Sequence, residues 1–136
     1  MPLEIETAII IYLLSYSGLT DLVSSRIFVN GAVPEDVAFP YVSIFLVHGQ
    51  DEECFIESPD FAEDTFQFTS AGLTKLDSIN VSRQIRTALK DHSGLMGGTG
   101  GVTVQAILQD GRHDAIYERA DGITEFYRDE DFKFQY

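Results

Sequence analysis

The spacing of apolar and polar positions changes along this chain, and each change marks an element. Ile5, Ala8, Ile9, Tyr12, Leu13 and Tyr16 recur at three- and four-residue intervals, setting one apolar stripe along a first helix. Gly18 supplies its expected stop. Thr20 is placed to cap a short turn through Val23, and Arg26 to Val29 follows as a brief strand. Asn30-Gly31 and Pro34 open a loop that closes at Phe39-Pro40. Tyr41 to Gly49 has so little polar content that it reads as a central strand covered on both faces.

Residues 50–64 interrupt this with a proline and little periodicity, as a long surface loop or as a protruding hairpin whose arms include Cys54-Phe55-Ile56. In Thr65 to Ser70, Phe66 and Phe68 alternate with Thr65, Gln67 and Thr69, the period of a half-buried strand. A second helix is expected from about Thr74 to Lys90. Ile85, Ala88, Leu89 and Val81 carry its stripe, Leu76 and Ile79 broaden it, and Arg83, Arg86 and Lys90 suit its carboxyl end.

Gly94 to Gly101 is glycine-rich and expected to be a mobile connector. Val102, Val104, Ala106 and Leu108 alternate with polar residues up to an Asp110-Gly111 turn, and Ala115 to Arg119 leads to a second turn at Asp121-Gly122. From Ile123 to Tyr136 the chain reads as one long final strand. Phe126, Phe132, Phe134 and Tyr136 share one of its faces, Asp131, Lys133 and Gln135 the other, and the polar run Arg128 to Asp131 is expected to hide a bulge or a protruding end. The order of helix, strands, helix, strands predicts a single α+β domain over residues 1–136: a largely antiparallel or mixed β-sheet packed by two main helices.

Composition narrows the function classes. An apolar fraction of 44% in 136 residues fits one folded core. The formal net charge is -13, and residues 1–70 hold Arg26 as their sole base. A surface this acidic repels phosphate, which opposes tight nucleic-acid binding while suiting a wall past which DNA slides. Cys54 is the sole cysteine, so no intrachain disulfide forms. Ala8 to Leu14 is too short to span a bilayer and lacks the basic flank of a signal peptide. Synthesis and use in the cytosol are expected.

No motif carries catalysis. The seven acids from Asp51 to Asp64 match no EF-hand spacing and read as a solvated acidic segment. The Gly97–Gly101 run lacks the Gly-Lys-Ser/Thr ending of a phosphate loop and follows a helix instead of preceding one. Asp51, Glu52 and Glu53 disfavour a thiolate at Cys54. His48, His92 and His113 are scattered, with no metal-ligand or serine-elbow pattern. No enzyme activity, cofactor or metal is expected.

The collinear order of short motifs carries more. Ser17-Gly18-Leu19-Thr20-Asp21-Leu22-Val23 leads to Arg26-Ile27-Phe28, then Pro34 and Phe39-Pro40-Tyr41-Val42-Ser43. Later come Phe66-Gln67-Phe68, Arg86-Thr87-Ala88-Leu89, Val102-Thr103-Val104-Gln105, Tyr117-Glu118, Glu125-Phe126-Tyr127-Arg128 and Asp131-Phe132-Lys133-Phe134. Over nearly its whole length the chain resembles the tail-completion, or tail-terminator, proteins of long-tailed bacteriophages and prophages. That resemblance implies a virion protein of the tail or neck, assembled in the host cytoplasm, that forms a ring-shaped homo-oligomer, a hexamer in the family. The ring caps the tail-tube protein, ends its polymerisation and offers a surface to a head-side connector or stopper protein, with DNA passing through the channel and no membrane involved. It brings no catalytic residue. The acidic segment and the glycine run depart from the family pattern, which makes them candidate interface loops: Asp51, Glu52, Glu53, Phe55, Glu57, Asp60 and Glu63, with Gly97, Gly98, Gly100 and Gly101. The alternatives are another neck component (a head-completion, stopper or connector protein) or a small soluble enzyme or ligand-binding domain.

Overall fold

A computed structural model describes residues 4–29, 32–51, 62–90, 92 and 94–136. Three helices, α1 (Ile5–Leu14), α2 (Ser17–Val23) and α3 (Lys75–Lys90), are joined with seven strands: β1 (Ile27–Val29), β2 (Tyr41–Asp51), β3 (Ala62–Gly72), β4 (Gly94–Met96), β5 (Val102–Val104), β6 (Ala106–Glu118) and β7 (Thr124–Gln135). Five strands form one sheet in the order β1-β2-β3-β7-β6, while β4 and β5 pair separately. Only β1 and β2 run parallel; β2–β3, β3–β7 and β7–β6 are antiparallel. The expected α+β class with a largely antiparallel, mixed sheet is what the chain adopts.

The core lies on one face of the sheet. Val42 and Ile44 of β2, Phe66 and Phe68 of β3, and Phe132 and Phe134 of β7 meet Ile5, Ala8, Ile9 and Leu13 of α1 and Val81, Ile85, Ala88 and Leu89 of α3. Phe66 and Phe134 cross edge to face at 5.7 Å, as do Phe68 and Phe132 at 5.5 Å, the arrangement aromatic quadrupoles favour. Burying each such ring is worth about 1.5–3 kcal/mol, so this phenylalanine cluster is a main anchor of the sheet. Tyr12 Oη donates to the Ala88 carbonyl at 2.6 Å, which ties α1 to α3. Thr74 begins α3 as foreseen, its Oγ1 accepting from the Asp77 amide at 3.1 Å.

Gly18 does not stop the first helix. The chain turns at Ser15 and Tyr16, and Gly18 lies inside α2, which meets α1 at an 84° bend. A Cβ at Gly18 would overlap the end of the Gln84 side chain, so the glycine leaves room for that side chain of α3 to lie against α2. Thr20 likewise sits within α2 and caps nothing. No single helix among the described residues is long and apolar enough to cross a membrane.

Other expectations fail for identifiable reasons. Beyond Tyr41, which packs against Phe28 and Phe39, β2 is covered on one face only: Val42 and Ile44 are buried, but Phe45 and Val47 are 51% and 53% exposed because no described residue packs over the sheet's other side there. Leu76 faces out, and the buried stripe of α3 instead contains Ser78 and Ser82. Ser82 fits because Glu130 of β7 is buried beneath the helix and accepts its hydroxyl, whereas Ser78 Oγ donates to the Lys75 carbonyl at 2.9 Å. β7 holds an unbroken register on β3 through Arg128–Asp131, with no bulge. The irregularity lies in its partner: Asp110-Gly111 is no turn, and β6 runs through it with a register shift between Gln109 and Gly111. The glycine run is the tip of the β4–β5 hairpin, held by fully buried Met96 and nearly buried Val104.

Candidate assembly interface

The least satisfied part of the fold is β6. It is thirteen residues long, forms the sheet edge, and pairs with β7 on one side only. From Leu108 to Glu118 every residue is exposed. Its outer side therefore presents a row of backbone donors and acceptors to solvent, a template for an added strand. The other edge, β1, has three residues.

β6 is apolar at its ends and charged in the middle. Leu108 stands exposed near one end, with Ile116 (65% exposed) and Tyr117 (58%) near the other. Between them, Arg128 Nε and Nη2 donate to the two carboxylate oxygens of Asp114 at 2.7 and 3.2 Å, and Lys75 Nζ lies 3.8 Å from the same group. That pairing holds the Asp114 carboxyl below the usual carboxylate range, the Arg128 hydrogen bonds being the largest cause. On the opposite face His113 Nε2 is 3.0 Å from Asp129, which also accepts from Thr69 Oγ1 at 2.6 Å. These contacts fix the strand's inner side and leave its outer side free.

Under α3, the Ser82 hydroxyl donates to Glu130, Gln109 Nε2 donates to the same carboxylate at 2.9 Å, and Arg86 Nε stands 3.7 Å away. Burial raises the Glu130 carboxyl above its ordinary pKa; Arg86, Arg112 and Arg128 oppose that rise. Beyond the bulge, one oxygen of Asp131 is buried with no hydrogen-bond partner among the described residues. Burial raises that carboxyl too, with His113 acting against it.

Tyr127 Oη donates to Glu125 and lies by Tyr41, but burial pushes both phenols above their ordinary range, the wrong direction for a base. No group of three or more His, Cys, Asp or Glu residues is placed to hold a metal among the described residues.

The candidate loop residues fall into three places. Asp51 ends β2, and Glu63 lies in β3, where Gln135 Nε2 donates to it at 3.0 Å and Lys133 Nζ stands 3.8 Å away. β2 and β3 pair out to Asp51 and Ala62, and the hairpin arms expected at Cys54-Phe55-Ile56 lie outside the described residues. Glu52, Glu53, Cys54, Phe55, Glu57 and Asp60 lie outside the described residues. Gly97, Gly98, Gly100 and Gly101 form the β4–β5 turn in the separate small sheet. The free β6 edge was missed because Asp110-Gly111 resembles a turn and splits the strand in two. The available signal was the charged run Asp110, Arg112, Asp114 inside an extended segment, a common pattern on edges.

No family model and no curated protein matches this chain by sequence. Among solved structures, a chain described as "Virion of native gene transfer agent (GTA) particle" is similar, with a TM-score of 0.70 and 16% sequence identity, over 96% of this chain and 92% of that one. At that identity the likeness establishes a shared fold across essentially the full length of both chains.

Proposed function

We propose that this chain is a structural virion protein of a phage-like particle and, more finely, the tail terminator: a ring-forming subunit that caps the tail tube and offers a surface for head joining. The observation that carries it is the full-length fold shared with a gene transfer agent virion chain. The free thirteen-residue edge of β6 supports it, since a subunit that functions only in a ring must carry surface a monomer leaves unsatisfied. The acidic composition suits a channel through which DNA passes without adhering.

Deleting the gene in its phage or inducible prophage and imaging the lysate tests this reading. Separate heads beside overlong or irregular tails are expected. Tails of normal length beside unjoined or leaking heads would move the protein to the head side of the neck, as a stopper or connector. Intact infectious particles would overturn the virion role and favour a ligand-binding or enzymatic one.

A further inference from the structure

The cations of this acidic chain are concentrated. Arg83, Arg86 and Lys90 project from the carboxyl half of α3 and line two adjoining hollows that share Arg86 and Lys90. The larger, about 450 Å³, continues between α3 and the sheet over Ile107 and Gln109 of β6 and Phe132 of β7. Arg112 stands in register with Glu130 on the same side of the sheet and acts on its carboxylate. Arg86 and Arg112 thus act on the buried Glu130 carboxylate, while Arg83 and Lys90 flank Arg86 along the helix. Among the described residues, Arg83, Lys90 and Arg112 make no ion pair. The groove opens beside the free edge of β6.

We infer that this groove receives the acidic 51–64 segment of a second copy of the chain, docked head to tail. Resting on the ring-forming reading above, the inference names the contact that would build the ring. Charge complementarity is the first support. Seven of the 22 acids fall within those fourteen residues, of which Glu63 and Asp64 are engaged within their own sheet, against four cations gathered in and beside the groove.

Position is the second support. The segment leaves β2 at Asp51 and enters β3 at Ala62, and Glu63 stands in register with Gln135, itself opposite Ala106. Ile107 in the groove is the next residue of β6. The flanks of the segment, Asp51 and Ala62, therefore lie level with the groove along the strands, β2 and β6 being three strand spacings, about 14 Å, apart. Copies related by rotation about an axis along the strands bring one copy's segment level with the next copy's groove.

Symmetry is the third. Pairing β6 with β6 uses one patch twice and closes at a dimer, whereas a ring requires two different surfaces to meet.

Cys54 lies inside the acidic segment and Thr87 lines the groove between Arg83 and Lys90, so the contact can be trapped by oxidation. The full-length Thr87→Cys chain, oxidised with copper phenanthroline, is expected to give a reducible ladder of covalent multimers that vanishes when Cys54→Ser is added. Arg83→Glu with Lys90→Glu, both exposed, should weaken the ladder roughly tenfold or more in chains whose thermal melt shows that they still fold. An intramolecular bond, no bond, or a ladder indifferent to charge reversal would overturn the inference. Mass photometry on the same samples separates the two readings. Rings that form without a disulfide from Cys54 to the thiol introduced by Thr87→Cys remove the groove contact alone, while intact particles from the gene deletion remove the ring reading beneath it.

Discussion

Ser82 of α3 donates its hydroxyl to the buried carboxylate of Glu130 on β7, joining helix to sheet by a polar contact inside an otherwise aromatic and aliphatic core. Both residues sit where the apolar periodicity predicts hydrophobic side chains or solvent, so neither is explained without the other. Arg86, 3.7 Å from the carboxylate, completes the arrangement.

Arg86→Met is expected to destabilise the fold at neutral pH by about 1–3 kcal/mol, because it leaves Glu130 charged and buried without its nearest cation. Glu130→Gln should cost less, as it removes the charge that burial opposes. The pH dependence has a defined sign. The folded-state pKa of Glu130 is raised, so its contribution is fully present below the unfolded value, about 4.3, and is lost as pH rises through the folded value. Urea unfolding at pH 4, 5.5 and 7 should show the Gln variant gaining on the wild type as pH rises. Parallel profiles would refute this account.

Asp114 runs the other way. Its folded-state pKa is lowered, so the Arg128 pair contributes above the unfolded value, near 4, and fades as pH falls through the folded value. Because the Asp114 side chain is 40% exposed, solvent screens the pair. Asp114→Asn should cost no more than about 1 kcal/mol at pH 7 and less in 1 M salt. A loss independent of salt would mean that Asp114 supports the fold sterically.

Ile116→Lys with Tyr117→Lys tests the β6 edge. Both side chains point largely into solvent, so stability should change by less than about 0.5 kcal/mol each. Lysines on an edge strand oppose strand addition, so any dimer formed by pairing β6 with β6 should disappear from light scattering, while assemblies built through the α3 groove should persist. An unaltered dimer would place its contact elsewhere.

The β4–β5 turn separates two uses of glycine. A Cβ on Gly101 would overlap the Met96 carbonyl oxygen and lie 2.9 Å from that of Gly98, so Gly101→Ala must displace backbone. A Cβ on Gly98 meets nothing within 4 Å, but its φ of +77° is a left-handed conformation. Thermal melts should show Gly98→Ala losing about 1–2 kcal/mol and Gly101→Ala losing more. Equal losses would mean the turn relaxes around both.

The elements legible in the sequence were those whose periodicity arises from one buried face. α1, α3, β3 and β7 each alternate cleanly because Ile9, Ile85, Phe66 and Phe134 all enter the same core. What escaped were positions decided by a distant partner. Gly18 reads as a helix stop until Gln84 is known to lie against it, and Ser82 reads as a flaw in the α3 stripe until Glu130 is beneath it. β6 escaped for the opposite reason. With no face buried from Leu108 onward it has no period to detect, and a strand lacking a period is legible only from the pairing that β7 imposes.

The two sheet edges also govern how this protein behaves when concentrated. Amyloid-like stacking adds chains without limit only if each newcomer exposes an edge equivalent to the one it covered. Here a chain that docks on β6 offers onward only a three-residue parallel strand, far too short to seat another thirteen-residue partner. Overproduced material should therefore accumulate as small, reversible species, not fibres, and excess subunits in a cell would remain a usable reservoir.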